Sequence, residues 1–336
     1  MRVVHLDAGR AWRGGQTQLR LLVRGWPDAT VIVPDDAPIR AALEADGIEV
    51  VPVPVRGRWW GRPAVWRALE RLGPDLVAAH DGHGAAVALG GRWPVVVHRR
   101  VDFAPSRVGA RRLCRAAGVI AVSGAVAAVV RRAGVERIRT VYDAVDPAPI
   151  DAAVADRDGV RAELGLARER RLVVAVGALV DHKGHRHLID ALAAVPDAVL
   201  VVLGDGPLRG ALRARADGRG VDARWLGVRA DVPRWLKAAD LFVHPSVEEG
   251  LGQAVIEAGL AGARIVATRA GGIPELGLGT LVNPGDPAAL ADAIRAALAQ
   301  GPGIDDPRAI EALRERFSVG RLVAATRDAY AAFAPR

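Results

Sequence analysis

Short apolar runs alternate with amphipathic segments along the first half of the chain. The runs have the continuous hydrophobic character of strands that are buried on both faces: RVVHLDA, ATVIVP, IEVVPVPV, PDLVAAHD, WPVVVHRR and GVIAVS. Segments such as TQLRLLVRGW and PIRAALEADG lie between them and carry apolar residues at helical spacing. This alternation predicts a parallel, doubly wound sheet covered by helices.

The same alternation starts again after a Pro- and Asp-rich stretch at residues 142–154. The apolar runs of the second half are RRLVVAVGAL, AVLVVLGDG, DARWLGV, LFVHPS and RIVAT, and helical segments such as HRHLIDALAAV and QAVIEAGLAG separate them. We therefore predict two Rossmann-like domains, over residues 1–148 and 149–317. Because open parallel sheets bind ligands beyond the carboxyl ends of their strands, two such sheets would face each other across a ligand cleft.

One strand-end loop carries two acids, Glu249 and Glu257, with glycines between them. On one unbroken helix this spacing would separate the acids by about 12 Å, too far to share a proton or a metal ion. The glycines instead predict a helix that begins near Gly252 or Gln253, with Glu249 on the preceding loop and Glu257 one turn inside. A free helix N-terminus between two acids suits a ligand with a central phosphate and a hydroxyl-rich group at each end, as in a nucleotide-sugar.

Composition limits the other possibilities. The 336 residues are 51% hydrophobic and 25% charged, the balance of an ordinary globular protein, and the single Cys114 excludes an internal disulfide. The start of the chain lacks a long apolar leader, so we expect a cytoplasmic protein. The net charge of +8 lies entirely in residues 1–150, which hold 22 Lys and Arg against 14 Asp and Glu, whereas the rest hold 24 of each. An anionic or amphipathic partner would meet this half.

A basic, aromatic segment at residues 55–73 gives this expectation a location. VRGRWWGRPAVWRALERLG combines arginines with Trp59, Trp60 and Trp66, a mixture that suits a peripheral contact with anionic lipid headgroups. The alternative is an ordinary amphipathic helix packed on the sheet.

The stretch HPSVEEGLGQAVIEAGLAGARIVATRAGGIPE resembles the donor-binding core of the retaining GT-B glycosyltransferases of family 4. The motifs VGALVDHKGHRHLIDAL, VLGDGPL, WLGVRADV, GGQ and AVSGAV extend the resemblance, in order, over nearly the whole chain. It implies an enzyme that moves a sugar from a nucleoside diphosphate sugar to an acceptor hydroxyl with retention, and it allows a lipid-linked or cell-envelope glycan as the acceptor. It also implies a C-terminal helix at about 318–334 that returns to the first domain.

The resemblance implies roles for individual residues of the second domain. Glu257 would grip the ribose hydroxyls, Glu249 the transferred sugar, and Lys183 the pyrophosphate. The remaining donor-binding residues are Gly177, Leu226, Gly227, Gly250, Leu251 and Gly252. Many family members place an arginine a few residues before the lysine, where this chain has Ala178, so Arg186 or a histidine of HKGHRH would have to compensate.

On the acceptor side the resemblance points to Gly14 and Gly15, which we expect to precede the first helix and for which a plain tight turn is the alternative. It also points to the strand end VVVHRRVDF, where related enzymes carry a histidine facing the transferred sugar. His98 is our catalytic candidate there, against the alternatives of a core histidine or of His80 or His83 in that role. The other acceptor-side candidates of this strand end are Arg99, Arg100 and Asp102.

No cofactor or metal is expected. The glycines of GDGPLRG break the dinucleotide fingerprint, and His182, His185 and His187 have a spacing that suits no common closed metal site. A formal D-x-D at Asp156 and Asp158 is better explained as a solvated helix. The alternatives are a sugar phosphorylase or nucleotide-sugar epimerase on the same fold, or a non-catalytic nucleic-acid binder, for which the basic half shows no recognised motif; no nucleic-acid partner is expected.

Overall fold

The computed structural model describes residues 1–54, 61–167, 169–301, 303 and 306–334. Seven short strands near the N-terminus form one parallel sheet in the order β3-β2-β1-β4-β5-β6-β7. They are β1 (Val3–Leu6), β2 (Thr30–Pro34), β3 (Glu49–Val53), β4 (Leu76–Ala79), β5 (Val95–Arg99), β6 (Gly118–Ala121) and β7 (Ile138–Thr140). The central strands are buried along their whole length, as expected for a parallel sheet covered on both faces.

The helices of this part follow the strands in alternation. They are α1 (Gly14–Arg24), α2 (Ile39–Ala45), α3 (Arg62–Leu72), α4 (Gly82–Ala88), α5 (Arg107–Cys114) and α6 (Gly124–Arg132). The first of them corrects a prediction: Gly14 and Gly15 form the first turn of α1 and do not precede the helix. The turn is closed because the Gln16 side chain accepts a hydrogen bond from the Arg13 backbone N–H at 3.1 Å.

Six more strands form a second parallel sheet, in the order β10-β9-β8-β11-β12-β13. They are β8 (Arg171–Val176), β9 (Ala198–Leu203), β10 (Ala223–Gly227), β11 (Leu241–His244), β12 (Ile265–Thr268) and β13 (Thr280–Val282). The order reverses between β8 and β11, so the loops that follow these two neighbouring strands diverge at a topological switch point. Ligands of doubly wound sheets bind at such a point.

The helices of the second part complete the expected pattern and add several that were not predicted. They are α7 (Ala148–Ala152), α8 (Arg157–Glu163), α9 (His185–Leu192), α10 (Arg209–Gly218), α11 (Val232–Ala238), α12 (Gln253–Leu260), α13 (Ile273–Leu276), α14 (Pro287–Ala299), α15 (Pro307–Arg316) and α16 (Val319–Phe333). A single 3-10 turn, Asp181–Lys183, leads into α9. Asp156 of the formal D-x-D caps α8 by accepting from the Gly159 N–H, and it pairs with Arg234.

The chain divides into two units, Met1–Ala144 with Phe317–Arg336, and Val145–Arg316. The last helix, α16, packs with the first sheet: Tyr330 and Phe333 share a buried cluster with Val96 and Ile120. Gly118 is required at this contact because a Cβ there would lie 2.3 Å from the Phe333 ring. The two parallel, doubly wound sheets predicted from the sequence are confirmed.

Candidate functional site

Two loops meet at the switch point of the second sheet, one after β8 and one after β11. The Val247 N–H donates to the His182 carbonyl at 2.8 Å, which fastens the loops together. Gly184 lies at their closest approach: its φ is +67°, and a Cβ there would lie 2.0 Å from the Pro245 carbonyl oxygen. Only glycine fits this backbone without strain, so the position of Lys183, one residue earlier, is set by the packing of the loops.

Lys183 and Glu249, predicted separately, form an ion pair across these loops. Lys183 Nζ donates to Glu249 Oε2 at 2.6 Å, and the two side chains are only 20% and 13% exposed. The proximity brings the residues expected to contact pyrophosphate and sugar into one small area.

Two further side chains, which sequence reasoning missed, hold the Glu249 carboxylate. His244 Nε2 lies 2.8 Å from Glu249 Oε2, and the Ser246 hydroxyl donates to the same oxygen at 3.2 Å. Because an ionised carboxylate only accepts hydrogen bonds, His244 must carry its proton on Nε2. A histidine and a serine that interrupt the apolar strand-end run LFVHPS are the signal that could have identified them.

The electrostatics of this group favour an ionised Glu249. Burial alone would raise the pKa of Glu249, but the hydrogen bond from His244 and the charge of Lys183 outweigh it and bring the pKa well below its usual range. Burial lowers the pKa of His244, in spite of the opposing effect of Glu249. At neutral pH the carboxylate is therefore charged and the imidazole neutral.

Glu257 lies in the opposite electrostatic situation. Helix α12 begins at Gln253, as predicted, after Gly252 in the left-handed conformation (φ +97°) and without a side-chain cap. Glu257 is half-buried one turn inside, and no described residue donates a hydrogen bond to its carboxyl or pairs with it. Desolvation raises the pKa of Glu257 to about 7. The hydroxyl groups of a ligand could donate hydrogen bonds to such a carboxyl and so favour its charged form.

The other predicted donor-binding residues lie along the same edge of the sheet. Gly250, Leu251 and Gly252, all buried, connect Glu249 to α12. Gly177 follows β8, while Leu226 and Gly227 end β10. The loops between them are closely packed: the Gly204 N–H donates to the Gly227 carbonyl at 2.8 Å. A Cβ at Gly204 would lie 2.0 Å from the Gly177 carbonyl oxygen.

The position of the missing arginine, Ala178, is exposed. Arg186, one of the residues considered as its replacement, pairs instead with Asp181 at 3.0 Å. His185 and His187 lie in the first turn of α9, where His185 is buried and His187 is partly exposed.

The predicted acceptor-side residues all belong to the first unit. Arg100 is bound to Asp143 at 3.2 Å, and it also reaches the His80 carbonyl. Arg99 lies over the Phe103 ring, 5.0 Å from its centre, and burial lowers the pKa of its guanidinium. Asp102 is half-buried on the loop that follows.

His98 lies inside β5 and not on the loop beyond it. Its Nε2 is 2.7 Å from the hydroxyl of Tyr330 on α16, and its ring stacks on His80 at 4.2 Å. His80 in turn hydrogen bonds to His5 at 2.9 Å. Burial lowers the pKa of His98 and His80 well below the ordinary value, so both rings are neutral at pH 7. This placement favours the alternative of a core histidine over a catalytic His98.

A polar cluster that sequence reasoning missed lies at the switch point of the first sheet, where β1 and β4 end. Asp7 is buried and accepts from Gln16 Nε2 at 2.9 Å and from the Gly9 N–H at 2.8 Å. Asp81 accepts from the Ala8 N–H at 2.6 Å and caps α4. Burial, followed by the charge of Asp81, raises the pKa of Asp7 to about 6. These bonds fix the loop that leads to Gly14.

Comparison with known proteins agrees with the motifs. The family described as "Glycosyl transferases group 1" matches residues 170–300, and "Glycosyltransferase Family 4" matches residues 12–149. A D-inositol 3-phosphate glycosyltransferase of Xylanimonas cellulosilytica is 32% identical over 311 residues, which are 81% of this chain and 70% of that protein.

Other relatives share shorter regions. A 2-deoxystreptamine glucosyltransferase of Streptomyces kanamyceticus is 33% identical over 58% of this chain, and the match spans about half of that protein, 53%.

Among solved structures, Anabaena HepE in complex with UDP and glucose is 25% identical with a TM-score of 0.85, covering 99% of this chain and 100% of that one. The chain therefore belongs to the group 1, family 4 glycosyltransferases with the GT-B fold.

Proposed function

We propose that the protein transfers a sugar from a nucleoside diphosphate sugar to an acceptor hydroxyl, with retention, and that Val145–Arg316 binds the donor. The observation that carries this proposal is the arrangement at the second switch point. There, Lys183 and Glu249 form a partly buried pair, and the Glu257 carboxyl has no partner among the described residues. The solved complexes of HepE with UDP and with UDP-glucose support a uridine nucleotide as the first donor to test.

Each residue has a role that its geometry allows. Lys183 would release Glu249 and bind the donor diphosphate, whose negative charge increases as the bond to the sugar breaks. Glu249 would then accept hydrogen bonds from sugar hydroxyls. Because its pKa is so low, Glu249 is unsuited to act as general acid or base near neutral pH. Glu257 would accept hydrogen bonds from the two ribose hydroxyls.

The chemical step we propose is a front-face displacement. The bond between the sugar C1 and the diphosphate oxygen breaks, and the acceptor oxygen bonds to C1 on the same face. The acceptor proton passes to the departing phosphate oxygen. Lys183 and the uncapped N-terminus of α12 would stabilise the leaving group. This scheme assigns no enzyme carboxylate as nucleophile and no metal ion, so chelators are expected to leave turnover unchanged.

For the acceptor, we propose a hydroxyl-rich molecule that binds the first unit near Gly14, Gly15 and the Arg99–Asp102 loop. Named relatives act on cyclitols and envelope glycans: 2-deoxystreptamine, D-inositol 3-phosphate and the lipopolysaccharide core. A lipid-linked or cell-envelope glycan supplies hydroxyls of this kind.

The function is tested in two stages. Thermal stabilisation across UDP, GDP, ADP and their sugars identifies the donor, since a ligand that binds only the folded state raises the melting temperature. Turnover with that donor and a panel of cyclitols and oligosaccharides, followed by mass spectrometry, should then show a product heavier by one sugar, with and without EDTA. If donor alone gives an epimer or a sugar 1-phosphate, the epimerase or phosphorylase alternative replaces the transferase.

Membrane association is a separate proposal. Trp59 and Trp60 lie outside the described residues; Trp66 lies on α3 and donates from Nε1 to the Val87 carbonyl at 3.1 Å, so this part of the segment packs on the protein. None of the described helices has the length and apolar character needed to cross a bilayer. We propose that residues 55–60 touch anionic headgroups.

A vesicle experiment tests that proposal. Protein should co-sediment with phosphatidylglycerol vesicles at low salt and less so at high salt, and the double variant Trp59→Ala, Trp60→Ala should lose this binding but keep nucleotide affinity. No sedimentation at low salt would show that this surface does not bind lipid.

A further inference from the structure

His185 is a buried polar side chain to which the described residues supply no hydrogen bond. It is the first residue of α9 and is 4% exposed. Both of its ring nitrogens are buried, and neither has a hydrogen-bond partner in the described part of the chain. An unpaired buried donor or acceptor is costly, and most such groups in native proteins have a partner. A ring with two unpaired nitrogens is therefore a candidate for ligand contact.

The position of the ring shows which ligand it would meet. At Gly177, the point where a Cβ would stand lies 3.9 Å from His185 Cε1 and 3.8 Å from Lys183 Cδ. The imidazole and the lysine chain thus both lie close to the backbone at the end of β8. The helix that begins at His185 follows Gly184 and has no side-chain cap. A lysine, an imidazole and a free helix N-terminus converge there, an arrangement that favours an anion.

The charge state of the ring defines the contact. Burial, followed by the proximity of His244 and Lys183, lowers the pKa of His185 to about 3. At neutral pH the ring is uncharged, with one N–H donor and one lone pair. It can donate one hydrogen bond to an oxyanion but adds no positive charge.

A small hollow on α9 and α10 also borders His185, next to Leu208 and Leu212. Its two arginines are already paired: Arg186 with Asp181 at 3.0 Å and Arg215 with Asp190 at 2.6 Å. The hollow is mainly apolar and thus offers an anion less than the space beside Lys183 does.

We propose that His185 is a further donor-contact residue, whose ring N–H donates a hydrogen bond to the diphosphate of the bound nucleotide-sugar beside Lys183. This inference rests on the proposed donor. It assigns the uncharged imidazole to diphosphate recognition. Arg186 is less suited to this contact because it is already paired with Asp181.

Calorimetric titration with UDP and with uridine tests the assignment. His185→Phe keeps the ring shape but removes both nitrogens, and it should weaken UDP binding about tenfold while leaving uridine binding unchanged, because uridine lacks phosphates. His185→Gln retains an N–H and should recover most of the affinity. His187→Phe, on the same turn of α9, is the matched control and should bind UDP as the wild type does.

The outcomes separate the two proposals. A folded His185→Phe variant with wild-type UDP affinity, or with equal losses for UDP and uridine, overturns the role of His185 alone. Wild-type protein that binds no nucleoside diphosphate overturns the proposed donor and this inference with it. If His185→Phe does not fold, ¹⁵N-histidine spectra of the wild type decide: UDP should shift the His185 ring nitrogens, and unchanged signals at saturation would refute the contact.

Discussion

Replacing Glu257 with glutamine should stabilise the ligand-free protein and weaken its binding of nucleotide. No residue in the described part of the chain pairs with this carboxyl, and desolvation raises its pKa from 4.5 to about 7. Above pH 7 the folded protein must hold this group charged in a poorly solvated place, whereas the unfolded chain holds it in water. Glutamine has nearly the same shape and no charge, so it removes that cost.

The sign and the size of the effect follow from this pKa. Between pH 4.5 and about 7 the folded state binds a proton that the unfolded state has lost, so stability falls as the pH rises. At about 1.4 kcal/mol per pKa unit, the full effect is roughly 3 kcal/mol. Part of the side chain still contacts water, so we expect a gain of about 1–3 kcal/mol for Glu257→Gln at pH 8 and almost none at pH 4.5.

Urea denaturation of the wild type and of Glu257→Gln at pH 4.5, 6, 7 and 8 measures the difference directly. Glu248→Gln, which changes an exposed carboxyl on the preceding loop, is the control and should show no such trend. Titration with UDP should show the converse: wild-type affinity rises with pH through about 7, because the ionised carboxylate accepts hydrogen bonds from ribose, while the variant binds more weakly and without this trend. A stability difference that does not change between pH 4.5 and 8 would refute the reasoning.

Three other substitutions test the loops and the core. Gly184→Ala should lose at least about 2 kcal/mol of unfolding free energy because its Cβ would collide with Pro245. Gly285→Ala, also at positive φ but in open space, should lose only about 1 kcal/mol. Equal losses in urea denaturation would contradict this prediction. Tyr330→Phe breaks the hydrogen bond to its histidine partner on β5 and should cost about 1 kcal/mol without changing UDP affinity; a loss of turnover at unchanged stability would instead support a catalytic histidine. Lys183→Met should lower kcat/KM because the transition state loses at least about 2 kcal/mol of stabilisation. Full turnover by this variant would exclude the role proposed for the lysine.

Much of the fold could be predicted because parallel strands are buried on both faces and therefore appear as uninterrupted apolar runs. The predictions failed where that signal is weak. Strands β7 and β13 are three-residue edge strands, partly exposed, and neither is among the predicted apolar runs. The two glycines suggest a turn, so the predicted start of α1 is too late. The helix begins at Gly14 because the Gln16 side chain caps its first turn.

Candidate site residues could be predicted on a loop after a strand or in the helix that follows it. Lys183 and Glu249 lie on such loops, and the structure brings them within 2.6 Å of each other. Glu257 lies inside α12, and its role comes from the family resemblance. His244 was missed because it is the last residue of the apolar strand β11. The residues next to it in the sequence do not show which side chain it would contact. Asp7 was missed for the same reason: its role depends on Gln16 and Asp81, which chain folding brings together.

The Lys183–Glu249 pair has a consequence for donor affinity that neither residue would show alone. In the ligand-free protein Lys183 already has a charged partner, Glu249. Binding of the diphosphate is therefore favoured only by the difference between two attractions: that of Lys183 for the diphosphate and that of Lys183 for Glu249. The carboxylate does not become unpaired when the lysine leaves, because His244 and Ser246 still donate to the same oxygen. These two donors therefore lower the cost of freeing Lys183. Substituting His244 with leucine should raise the dissociation constant of UDP even though the imidazole touches no part of the nucleotide in the arrangement proposed here.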